Sequence, residues 1–95
     1  MAILNIPYVY TRAQVRRIIH EKFPNAQSKE GTNHIINHIL WMMDRMETES
    51  EFITNREKAG RWIGWILGRM EAKKLLTNKE TKHFIRQDIN FGHAK

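Results

Sequence analysis

The sequence predicts an all-α fold: a small helical bundle of three main helices and a short fourth, preceded by an extended N-terminal arm. Three observations lead there. Apolar residues recur at helical spacing in successive stretches. Three stretches open on a threonine with Glu or Gln three residues on, a pattern that starts helices. No long run alternates apolar with polar residues, as a half-buried strand would. The 95 residues are expected to form one domain, 1–95, with the arm at 1–10 and a flexible tail at 90–95. A chain this short has a small core and often gains burial by oligomerising.

The arm is apolar and aromatic, with Ile3, Leu4, Ile6, Tyr8, Val9 and Tyr10, and Pro7 argues against an interior helix or strand. It is expected to pack on the bundle or on a neighbouring subunit. Stacking of Tyr8 and Tyr10 on a base or ring is the alternative. Thr11 with Gln14 reads as a capping box, opening a helix to about Lys22. Val15, Ile18, Ile19 and Phe23 share its apolar face, and Arg12, Arg16, Arg17 and His20 lie largely off it. Pro24 ends it, and residues 25–31 (NAQSKEG) read as a loop.

Thr32 or Asn33 is expected to cap a second helix, running to about Glu47. Ile35, Ile36, Ile39, Leu40, Met42, Met43 and Met46 form its broad apolar face. Trp41 falls on the polar side, between His34, His38 and Arg45. Residues 47–53 (ETESEFI) read as an acidic connector whose charges are solvated.

Thr54 with Glu57 reads as the capping box of a third helix, extending to Leu75. Its apolar face holds Ala59, Trp62, Ile63, Ile66, Leu67 and Met70. Gly60, Gly64 and Gly68 recur every four residues beside that face. Each glycine costs a helix interior about 1 kcal/mol against alanine. The ridge therefore points to a close helix–helix approach, within the chain or between subunits. Trp65 lies in a third sector with Lys58, Arg61 and Arg69. Thr77 with Glu80 opens the last helix, to about Ile89, on a thin face of Thr81, Phe84, Ile85 and Ile89.

The net charge is +6, with the basic excess in residues 1–30 and 54–95 and an acidic stretch between them. This balance favours an anionic partner, against the plain reading of a solubilising surface. There is no cysteine, hence no disulfide and no thiolate metal site. His34 and His38 stand at i and i+4, a spacing that can share a metal, but no third ligand is evident. Solvated or hydrogen-bonded histidines are the competing reading, and neither a metal nor a cofactor is expected. No GxSxG, HExxH or P-loop occurs, so a non-enzymatic protein is expected. The longest apolar run, residues 39–43, is too short to span a bilayer, and the first twelve residues lack a signal-peptide pattern. A soluble intracellular protein without a membrane partner is expected.

Two tryptophans flanked by cations carry the functional hint. Trp65 has Arg61 at i−4 and Arg69 at i+4, and Trp41 has His38 at i−3 and Arg45 at i+4. Such a ring can be an interface hot spot, a base-stacking platform beside a phosphate-binding Arg, or half of an intramolecular cation–π pair.

Leu40, Trp41 and Met42, followed by Glu57, Lys58, Ala59, Arg61, Trp62, Gly64 and Gly68, resemble a group of small bacteriophage and prophage proteins. Their pattern is an LWM helix, a variable connector, EKA-x-RWLGFIQG-x-L and a short closing helix. The resemblance covers roughly residues 38–89, and Leu67 departs from it where the pattern often has glutamine. It implies a protein that binds and neutralises host factors in the host cytoplasm. These include defence effectors such as CRISPR complexes, and nucleotide signals that helical phage proteins sequester in oligomers. The expected partners are thus an anionic, cyclic nucleotide or a host protein, with nucleic acid as a further alternative, and a second copy of the chain. The expected binding residues are Arg61, Trp65, Arg69, Trp41, Arg45 and His38, with Gly60, Gly64 and Gly68 as the oligomer ridge.

Overall fold

A computed structural model describes residues 6–31 and 34–90, and every described element is helical. The order is α1 (Val9–Lys22), α2 (Ile35–Thr48), α3 (Glu51–Thr54), α4 (Arg56–Ala72) and α5 (Asn78–Asn90). The two caps expected for α2, Thr32 and Asn33, lie outside the described residues, as do the first five residues of the arm and residues 91–95 of the tail.

The core follows most of the apolar faces expected from helical spacing, although Phe23, expected on the face of α1, is exposed just past that helix. Val15 and Ile19 of α1, Ile39, Met43 and Met46 of α2, and Ala59, Ile66 and Met70 of α4 are fully enclosed. Phe52 joins them, although it stands in the expected connector. The reason is that residues 51–54 close a short turn of helix, which swings the Phe52 ring inward against α4. Ile89, by contrast, is expected in the core yet is half exposed, and Asp88 takes the inward position on α5.

Two of the three expected capping boxes are replaced, each for a local reason. α1 starts at Val9, before Thr11, because Tyr8 adopts a left-handed backbone (φ 58°) that turns the chain into the helix. This leaves the N–H groups of Tyr10 and Thr11 without helical acceptors. The Asp88 carboxylate of α5 takes both, at 2.8 Å each, and also accepts from the Thr11 hydroxyl. A residue 77 positions away thus does the work of an N-cap. At α4, Thr54 is consumed by α3, where its hydroxyl donates to the Glu51 carbonyl. The cap passes to Asn55, whose side-chain oxygen accepts from the Lys58 N–H at 3.0 Å. The third box forms as read: the Glu80 carboxylate accepts from the Thr77 N–H at 2.9 Å, and the Glu80 N–H donates back to the Thr77 hydroxyl at 3.1 Å.

A second unexpected device ties α1 to α2. Arg12 is only 4% exposed. Its guanidinium pairs with Glu47, and its Nε donates to the Pro7 carbonyl at 2.8 Å. Arg16 donates to Glu47 at 2.6 Å and to Asp44 at 2.7 Å. Burial pushes Arg12 below the usual guanidinium range while Glu47 opposes the shift, and the hydrogen bond to Glu47 raises Arg16. Glu47 is therefore a structural anion and not a solvated charge.

Candidate binding face

α2 and α4 pack against one another, and each brings a stripe of rings and cations to the same side. On α2, His38, Trp41 and Arg45 stand at i, i+3 and i+7, so one helical face presents all three. On α4, Lys58, Trp62, Trp65 and Arg69 do the same at i, i+4, i+7 and i+11. The His38 imidazole stacks on Trp41 at 5.3 Å and 17°, and meets Trp65 edge-on at 5.6 Å. Trp41 lies over Trp62 at 6.1 Å, and Trp62 meets Phe52 at 4.6 Å. The two stripes become one continuous aromatic cluster.

Cations decorate it. Arg45 sits 5.5 Å over Trp41, Arg69 sits 5.0 Å over Trp65, and Lys58 lies over both Phe52 (4.9 Å) and Trp62 (5.5 Å). Each contact contributes roughly 0.5–1 kcal/mol at such sites. Arg45 also pairs with Glu49, and Lys58 with Glu51 at 2.6 Å. The Lys58 hydrogen bond holds the Glu51 carboxyl below its ordinary range. Arg61 is held least: its pairing with Glu57 spans 3.8 Å between two largely exposed side chains. A surface pair of that length contributes little.

Between the helices opens a groove of about 390 Å³, lined by His38, Met42, Arg61, Trp62 and Trp65. The expected residues thus divide. His38, Arg61 and Trp65 line the groove. Trp41 backs it by stacking on His38 and Trp62. Arg45 and Arg69 lie over indole rings and are not part of its lining. Trp62 is expected in the core and instead stands half-buried at the centre of the cluster. Its spacing of three before Trp65 was the available signal, since residues three apart share a helix side.

Among the described residues the glycine ridge makes no close helix–helix contact. A Cβ at Gly64 or Gly68 would meet nothing within 4 Å, and one at Gly60 would meet only the Tyr8 hydroxyl at 3.5 Å. His34 is exposed and takes no part in the cluster. Among the described residues no three His, Asp or Glu side chains come close enough to hold a metal ion. A larger hollow of about 600 Å³ lies at the α1–α2 turn, lined by Phe23, His34 and Ile36 among others, away from the aromatic cluster. No helix is long and apolar enough to cross a membrane among the described residues. No family model, curated protein or solved structure matches the chain.

Proposed function

We propose that the protein is a non-enzymatic, phage-type binding protein that counteracts host defence by sequestering an anionic nucleotide signal. The observation that carries this reading is the groove in which Arg61 and His38 stand beside the indoles of Trp62 and Trp65. Flat rings next to a weakly paired guanidinium suit a base and its phosphate. The likeness of residues 38–89 to small bacteriophage proteins supplies the host-defence context. Subunits are proposed to meet along Gly60, Gly64 and Gly68, an arrangement favoured by the open space over Gly64 and Gly68. Isothermal titration against cyclic mono- and dinucleotides tests the sponge. Saturable heat from at least one of them is expected, and no heat from any removes it.

A second reading has its own observation. Arg45, Lys58 and Arg69 already lie over the tryptophan rings, so the face is a pre-ordered Trp and Arg surface of the kind that forms protein hot spots. The protein would then inhibit a host defence complex directly. A pull-down with the wild-type chain and Trp65→Ala separates the readings: a host protein captured by the first and lost by the second favours it.

A further inference from the structure

We infer that the groove between α2 and α4 takes a single nucleotide unit whose phosphate sits between Arg61 and the Nε2–H of His38. This rests on the binding reading above and sharpens it to one ligand size and one donor atom.

The donor follows from a hydrogen bond at the other ring nitrogen. The N–H of Gly31 donates to His38 Nδ1 at 3.0 Å. A neutral imidazole has one donor and one acceptor nitrogen. Acceptance at Nδ1 puts the ring proton on Nε2. The ring is also wedged, stacked on Trp41 and edge-on to Trp65, so its orientation is set by packing. The Gly31 N–H is delivered by a strap. Residues 25–31 lie across α2, where the Gln27 N–H donates to the Asn37 side-chain oxygen at 3.1 Å and the Lys29 N–H to the Asn37 carbonyl at 3.1 Å. Gly31 itself has φ 124°, a backbone that side chains rarely adopt.

The lining fixes the ligand class. It holds a guanidinium, an imidazole N–H, a thioether and two indoles and, among the described residues, no carboxylate. That set complements a phosphate joined to a flat ring. Small-molecule sites occupy roughly 300–1,000 Å³. A groove of about 390 Å³ is at the small end of that range and matches one base, sugar and phosphate. A free nucleotide and one unit of a single strand share this chemistry.

The test titrates the 95-residue chain with 5′-AMP, 5′-GMP, cyclic dinucleotides, adenosine, inorganic phosphate and an oligothymidine, followed by tryptophan fluorescence and calorimetry. A mononucleotide is expected to bind saturably, with adenosine and phosphate each at least about tenfold weaker. Arg61→Ala and His38→Phe should each weaken it by about tenfold. His38→Phe keeps a flat ring beside Trp41 and removes both nitrogens; His38→Gln restores a donor and should recover part of the loss. Nitrogen-15 spectra of the free protein give a readout independent of ligand and should report the Nε2–H tautomer. The opposite tautomer, or equal binding by wild type and a folded His38→Phe, overturns the inference while leaving the binding face intact. Binding of cyclic dinucleotides with no mononucleotide binding overturns the single-unit assignment alone. Tighter oligothymidine binding that falls steeply with salt assigns the groove to a strand and overturns the free signal. Silence from every nucleotide removes both this inference and the sponge.

Discussion

The two sides of α2 use the same residue types to opposite ends. Towards α1, Asp44 and Glu47 take up Arg12 and Arg16 in a network that is half-buried or deeper, with the guanidiniums given carboxylate partners. Towards α4, Arg45 covers a ring, and Arg61 of α4 has a single long contact to an exposed carboxylate. Charge that is enclosed and saturated holds helices together. Arg61, exposed and loosely paired beside flat rings, is the charge least committed to the described fold. Burial and the count of hydrogen bonds make the difference, not the identity of the residue.

Asp88→Ala strips the partner from two N–H groups and a hydroxyl in an enclosed site, so urea unfolding should show a loss of about 3–4 kcal/mol. Glu47→Ala leaves Arg12 buried without its carboxylate, and should cost about 2–3 kcal/mol, discounted because Glu47 is 27% exposed. On the other side, Arg61→Ala should change the unfolding free energy by no more than about 0.5 kcal/mol, since its side chain is 64% exposed. A loss from Arg61→Ala as large as that from Glu47→Ala would erase the distinction between the two sides.

Gly64→Ala meets open space and should stabilise the monomer by about 0.5–1 kcal/mol through helix propensity. Gly64→Leu should disperse any assembly built on the ridge, read by light scattering. An unchanged mass in a folded Gly64→Leu variant places assembly elsewhere. The smallest effect is alkaline. Burial, reinforced by Asp88, raises the Tyr8 phenol above its ordinary value of about 10. The folded state thus favours the protonated phenol more than the unfolded chain does. That contribution is complete below the unfolded value and fades as pH rises through the folded one. Wild type should lose stability above about pH 10, and Tyr8→Phe should flatten part of that slope.

What could be read from residues alone tracks how local each feature is. The core faces of α1, α2 and α4, and the Thr77–Glu80 box, depend on neighbours three or four positions away, which spacing reports directly. The cation-flanked tryptophans were legible for the same reason. Asp88 as the cap of α1 was not, because its partners lie 77 and 78 positions away. Glu47 read as solvated because only the docking of α1, 35 residues upstream, encloses it. The shift of the α4 cap from Thr54 to Asn55 depends on the short α3, a turn too brief to show periodicity. For the binding face, spacing showed two separate sectors. Their fusion into one groove, with Trp62 in its lining and Arg45 and Arg69 outside it, is set by how α2 docks on α4.

The central claim is that the groove at His38, Arg61 and Trp65 binds a ligand and does not merely close the bundle. Calorimetric titration of wild type and Arg61→Ala with mono- and cyclic nucleotides, beside matched thermal melts, tests it most directly. The account predicts saturable binding by wild type, about tenfold weaker binding by Arg61→Ala, and melts that superimpose. Equal affinities with superimposed melts, or no binding to any nucleotide, would contradict it.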